Sequence, residues 1–574
     1  MSNDEIKKDL LSQLLYEAQA YKKFEDIEKL VEGGKDLSQV PIQPIYVSLQ
    51  NTSKDQVALI LPKLSSDQRQ ALRDIDLWQK DTVDPNSATY WMEVYSKCPD
   101  DEVILEYVKS EDFLLSMKNQ FTIDTFDTED PMYPDDDNYF LTEDMQLLIA
   151  YRDDFNLVNE LKEMIRRLYS EMGVEYAYAF LFKMVVDSYQ IMEEDNYQAK
   201  KERLRDFGFV DYFEALEYNA HYSTLEQVDA FIKQKKAITP KLDSLSQNQS
   251  LHATSLTPYQ SGMDSIKDAL SAVSQDQRMQ FLHFNFVRMV NARITLDDAL
   301  KNGSMAMAKV GSQTRQCLEL GFEYVQSKLE NGKVLFDIFD FLDLYKVGHS
   351  LIAITLKNIK KAIAATPFEE DDFGYFLGLY WNAFLENSHE EVSKYKFDGS
   401  SKPLEIRDLN SYKLWNDAAS TLTTALPYVT TFFATIEKLK ADGLLNDQFY
   451  LNYEVDNIDF EALMISSFIN FAQGHYSDDA SGKMGVTISE LKNFYHKFFK
   501  KNGEEYLIKG EEDSILREQT TAFIKKFGLE LIPRFDKYLY QILLEQLNGY
   551  EVDGMSEEEF KHIGGPILLN FTSN

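Results

Sequence analysis

Nine carboxylate side chains and no basic one crowd residues 122–145, TIDTFDTEDPMYPDDDNYFLTEDM. Hard divalent cations take clustered carboxylate oxygens, so Asp124, Asp127, Asp130, Asp135, Asp136 and Asp137 are candidate ligands for Mg²⁺ or Ca²⁺. The stretch lacks the spacing and the central glycine of a calcium-binding loop, and a block of like charge is also what a solvated loop carries. Pro131 and Pro134 keep it from being a helix. An acidic loop over 122–145 is expected, with a small β-hairpin near 139–151.

Other chemistry finds no constellation. His389-Glu390-Glu391-Val392-Ser393 lacks the second histidine of a zinc protease helix, and Gly482-Lys483 lacks the earlier glycine of a phosphate loop. No G-x-S-x-G occurs. Residues 548–559 imitate a calcium loop, but Tyr550 and Val552 stand where oxygen donors are needed. His349 has no second ligand one turn away and reads as a core histidine with a satisfied nitrogen. No catalytic residue and no organic cofactor is assigned, and Mg²⁺ or Ca²⁺ is the one cofactor class the residues suggest.

The elements that must position these groups read as short, capped helices. Ser53 precedes Val57, Ile60, Leu61 and Leu64 as an N-cap, and Ser65 and Ser66 offer oxygens to a second helix start. Leu72, Ile75 and Trp78 follow at three-residue steps on one face of that second helix. Asp84-Pro85 starts a third, with Ala88, Trp91, Met92 and Tyr95 as its stripe. Short helices are marginal alone and must stack to bury their faces, so an all-α fold of stacked helical hairpins, solenoid-like and in two lobes, is predicted. Trp78 and Trp91 are candidate partner-binding anchors, although tryptophan is more often core.

The run LPKLSS from Leu61, then QALRDIDLW from Gln70 to Trp78, then Asp84-Pro85, resembles the N-terminal part of a large uncharacterised bacterial family, a domain of unknown function. RLRDFGFVDYFEAL from Arg203 and LYKVGHS from Leu344 resemble later parts of the same family. The first segment is also similar to the cytosolic superhelical domain of MgtE-type magnesium transporters, and more distantly to helical repeats of flagellar switch proteins. The resemblance implies a superhelical fold and slightly favours a cation role. It implies no catalytic residue.

Composition bounds the rest. With 44% hydrophobic and 13% aromatic residues, 574 residues can bury a substantial core. The net charge of −36 repels phosphate backbones, so nucleic acid is not an expected partner. Arg166-Arg167, Lys200-Lys201 and Lys500-Lys501 are too short and scattered to form a basic patch. Two distant cysteines, Cys98 and Cys317, fit a reducing cytoplasm. The longest apolar run, YAYAFLFKMVV over 176–186, is half a membrane span and holds Lys183, so no membrane insertion is expected.

The expected organisation is an N-terminal helical arm at 1–50 and a superhelical lobe at 51–240 that carries the acidic loop. A Ser/Gln/Thr-rich linker at 241–262 leads to a second helical lobe at 263–574. The expected function is a non-enzymatic cytoplasmic scaffold that grips a protein partner, which could itself be a membrane protein, in helical grooves. Two readings stand beside it: a divalent-cation-responsive regulator acting through 122–145, and an enzyme whose motifs are unrecognised.

Overall fold

A computed structural model describes residues 29, 33, 37–40, 42–50, 52–237, 264–302, 304–330, 333–366, 376–397, 400–446, 450, 454–476, 485–503, 505–508, 510–549, 551–554, 556, 559 and 567–568. Residues 1–28 of the arm expected at 1–50, and the linker expected at 241–262, lie outside the described residues. The remainder is mainly helical, with a few short strands in small sheets.

The chain begins with α1 (Ile42–Leu49), α2 (Lys54–Ile60) and α3 (Ser66–Asp76). The caps fall where the sequence puts them. Ser53 Oγ accepts from the Gln56 N–H, and Ser65 and Gln68 close a reciprocal capping box. Helix α3 stops before Trp78, which opens instead a two-stranded hairpin, β1 (Trp78–Gln79) and β2 (Thr82–Val83). The three-residue step from Ile75 to Trp78 runs past the helix end, because Lys80 turns the chain at φ 60°. Asp84 then caps α4 (Pro85–Ser96), followed by α5 (Asp101–Val108) and α6 (Glu111–Gln120).

The acidic stretch is partly a sheet. Strands β3 (Thr122–Thr125), β4 (Tyr139–Leu141) and β5 (Leu147–Ala150) pair antiparallel in the order β3-β5-β4. The β4–β5 hairpin is the expected one. Strand β3 occupies residues assigned to the loop; only Ile123 of its four residues points inward, so its alternation is too short to read beside the acids.

Helices α7 (Val158–Met172), α8 (Val174–Val186), α9 (Tyr189–Asp206), α10 (Tyr212–Asn219) and α11 (Leu225–Ala237) continue the chain. At the start of α11 the Thr224 hydroxyl accepts from the Gln227 N–H at 3.4 Å. Next come α12 (Asp264–Ser271), α13 (Asp276–Leu296), α14 (Ala299–Asn302), α15 (Ser304–Lys328), α16 (Leu335–Ile338) and α17 (Phe341–Ala364). Helix α10 packs on α13, and α14 on α1, which ties residues 276–302 to the earlier part of the chain. Contacts therefore divide the chain inside α17. One unit holds residues 1–221 and 228–349, the other 222–227 and 350–574. The second lobe, expected from residue 263, starts later for that reason.

The second unit contains α18 (Leu379–His389), the hairpin β6 (Lys394–Tyr395) and β7 (Leu404–Glu405), α19 (Leu409–Ala441) and α20 (Phe460–Ala472). It ends with α21 (Ile488–Phe498), the hairpin β8 (Lys500–Asn502) and β9 (Glu505–Leu507), α22 (Glu511–Lys526) and α23 (Phe535–Leu547). Helix α20 is its centre, packed by α19, α21, α22 and α23. Trp381 and Trp415 are fully buried, Trp381 stacked on Tyr538 at 4.7 Å.

Candidate functional site

The six candidate cation ligands do not converge. Asp124 points outward from β3, and Asp127, Asp130, Asp135, Asp136 and Asp137 are exposed along the segment beyond it. Asp127 accepts from the Glu129 N–H at 2.8 Å and so serves its own turn. Among the described residues no group of three or more His, Cys, Asp or Glu side chains is arranged to hold a metal ion. Like charges on an irregular segment separate into water unless a framework holds them together.

The two tryptophans named as anchors are both buried. Trp91, on α4, donates from Nε1 to Asp76 at 3.0 Å and borders an open hollow of about 460 Å³. Trp78, 3% exposed, forms a wall of a tighter recess of about 230 Å³ in the first unit. His349 is half-buried, bonds the Asn219 backbone, and leaves its Nδ1 without a hydrogen-bond partner among the described residues; burial pushes its pKa down to about 4.

The recess is assembled from segments far apart in sequence. The end of α3 and the β1–β2 turn supply Asp74, Trp78 and Lys80. Helix α9 supplies Tyr197, Lys200 and Lys201, and the turn after it supplies Phe209, Asp211 and Tyr212. That turn depends on Gly208, whose φ of 79° ends α9 and swings Phe209 inward. The end of α13 and α14 close it with Asp298 and Lys301.

Two ion pairs hold this framework, one half-exposed and one fully buried. Arg203 grips Asp74 with two bonds of 2.7 and 2.8 Å, joining α9 to α3. On the same helix, Arg73 pairs with Asp112 of α6 at 2.9 Å while its guanidinium lies over the stacked rings of Tyr95 and Tyr107. The Arg203–Asp74 pair joins the segment beginning at Arg203 to the one beginning at Gln70, so the two stretches meet at the recess.

The charge on the lining is unbalanced. Asp74 is held by Arg203, and Asp211 by Lys201 at 2.8 Å and by the first N–H groups of α10. Lys301 donates to the carbonyls of Trp78 at 2.7 Å and Asp76 at 3.3 Å. Lys200 Nζ sits 4.9 Å from the Trp78 ring centre and 5.2 Å from that of Tyr197, and makes no ion pair among the described residues. Burial, more than the nearby Lys301, pushes its pKa down to about 8. Trp78 Nε1 is buried with no hydrogen-bond partner among the described residues. Among the described residues the wall therefore carries an ammonium outside any ion pair, with Asp74, Asp211 and Asp81 acting on it only through space, and an indole N–H without an acceptor.

Little of this was visible locally. Lys200 stands out in the sequence only as half of a scattered basic pair, and Lys301 lies a hundred residues further on. Trp78 was the legible member.

The chain belongs to a family of unknown function, DUF6178, whose model matches residues 6–391, about two thirds of its length. No curated protein and no solved structure matches it.

Proposed function

We propose that this member of a family without an assigned activity is a non-enzymatic scaffold that binds a protein partner on the outer face of α8. The observation that carries the reading is how little that helix buries. Of its thirteen residues only Ala177, Leu181 and Met184 are buried, packed toward α6, α7 and β3. Its outward side carries Tyr176, Ala179, Phe182 and Val186, interrupted by Glu175 and by Lys183 in its ion pair with Glu111. Tyr176 is 72% and Val186 64% exposed, and Ile191 continues the apolar surface into α9. A helix apolar on nearly every side is normally covered, and exposed patches of this kind mark interaction surfaces.

A protein surface suits this face better than a lipid one. Glu171, Glu175 and Asp187 border it, and an anionic bilayer would repel them. No helix among the described residues is long and apolar enough to cross a membrane. Two further features support a helical scaffold in the cytoplasm. Alternate short helices pack on one another, α1 on α3, α2 on α4 and α4 on α6, in keeping with a superhelical stack like that of the transporter domain. Cys98 and Cys317 are buried free thiols.

The test is affinity capture from native lysate at physiological salt, comparing the wild type with Tyr176→Glu/Val186→Glu. A stoichiometric polypeptide held by the wild type and lost by the variant, with unchanged thermal melting, is the expected result. Recovery of the same proteins by both forms, or of none by either, would overturn the reading. Light scattering on both forms separates a foreign partner from a second copy of this chain.

A further inference from the structure

We propose that the recess beside Trp78 binds a small aromatic carboxylate, its anionic end at Lys200 and its ring against the aromatic wall. The site is distinct from the outer face of α8 and does not depend on the scaffold reading.

The charge pattern selects the ligand's sign. In a chain of net charge −36, four lysines and three aspartates line one recess. Asp74 and Asp211 are ion-paired to Arg203 and Lys201, and Asp74, Asp211 and Asp81 act on Lys200 only through space, which leaves Lys80, Lys200 and Lys301 with Asp298 as the one lining carboxylate outside an ion pair. A partly desolvated ammonium outside any ion pair is costly to keep charged, and a bound anion would remove that cost. Lys301 has a third N–H beyond the two carbonyls it already serves, and Trp78 Nε1 is an idle donor. Three ammonium groups and an indole N–H, set against the single unpaired carboxylate of Asp298, favour a ligand head that only accepts hydrogen bonds, which is what a carboxylate is.

Size and lining select the rest. Ligand pockets for drug-sized molecules run to roughly 300–1,000 Å³, so a recess of about 230 Å³ admits a single ring with a short acidic arm. Trp78, Tyr197, Phe209 and Tyr212 give that ring apolar faces. Asp298, and the carboxylates of Asp74 and Asp211 behind their partners, oppose a second negative charge. A monoanion is favoured over phosphate on that ground.

The experiment is isothermal titration calorimetry of the full chain with benzoate, 4-hydroxybenzoate and indole-3-carboxylate, alongside benzamide and inorganic phosphate. At least one carboxylate should bind at one site per chain, at least tenfold more tightly than benzamide or phosphate. Lys200→Met should weaken that binding at least tenfold while the melting temperature stays within a few degrees. No saturable binding of any of the three carboxylates would overturn the proposal, as would equal binding of phosphate. Equal binding of benzamide would remove the role of the anion. Should Lys200→Met fold poorly, the wild-type carboxylate-to-amide ratio decides the matter, and Trp78→Phe, which deletes the N–H and keeps a ring, repeats the test at the other donor.

Discussion

Single residues in this molecule show their importance through what they would leave behind. Arg73 and Asp112 are 2% and 3% exposed. Removing one partner of a buried pair strands the other charge and costs about 3–5 kcal/mol. Arg73→Ala and Asp112→Ala should each lower the urea midpoint accordingly, and Arg73→Met/Asp112→Leu should recover much of the loss; a double mutant no better than the singles would refute the pairing. Glu461, fully buried on α20, accepts the Tyr380 N–H at 2.6 Å and so caps α18, whose own cap position is Gly378. Burial first, and Asp459 second, push its pKa up to about 8 from an ordinary 4.5. Asp459 is itself pushed up by burial to about 6. The folded state thus holds these protons more tightly than the unfolded chain. Their contribution to stability is complete below the unfolded values and is lost as pH rises from about 4 through 8. Glu461→Gln, a mimic of the protonated acid, should flatten that fall and melt higher than wild type at pH 9; parallel pH profiles would rule the linkage out. Neither residue was legible beforehand, since a buried glutamate looks in sequence like any surface acid on a helix.

At the scale of elements, helix starts were the most readable feature, because a cap is a local event. Ser53, Ser65 and Asp84 act as N-caps where their side chains and following residues require it. Helix ends were harder. The stop before Trp78 depends on a hairpin turn at Lys80 that carries no glycine signal. Hardest were contacts between helices. Gly321 of α15 and Gly348 of α17 face each other's backbones, and a Cβ on Gly348 would stand 1.8 Å from the Cys317 carbonyl oxygen. A Cβ on Gly321 would meet the Leu344 carbonyl oxygen at 1.9 Å. In the sequence LYKVGHS the glycine is only a mild helix weakener; in the fold it is the surface on which two helices touch. Gly348→Ala should therefore destabilise by at least ~3 kcal/mol, the upper part of the overpacking range, where Gly→Ala in an ordinary helix stabilises by roughly 0.5–1 kcal/mol. Calorimetric melting gives the sign at once, and a stabilised variant would disprove the close crossing.

For the whole molecule, the all-α class followed from texture and composition, whereas the division of the chain did not. Contacts assign residues up to 349, apart from 222–227, to the first unit because α10 packs on α13 and α14 on α1, pairings across about seventy and two hundred and fifty residues that no local signal announces. The net charge of −36 was legible from the outset, and set beside the lysines around Trp78 it has a kinetic meaning. Beyond a Debye length of about 10 Å at 0.1 M salt, an approaching carboxylate meets only the molecule's repulsion. Inside that distance the lysines take hold. Raising the ionic strength screens the outer barrier before it screens the inner attraction. Capture of the ligand, followed by stopped-flow fluorescence, should therefore accelerate as salt increases from about 10 to 150 mM, the reverse of what electrostatic steering between opposite charges produces. A capture rate that falls with added salt would mean that the lysines' field reaches past the acidic surface. Otherwise the recess is slow to fill in dilute buffer and quick to fill at cellular ionic strength.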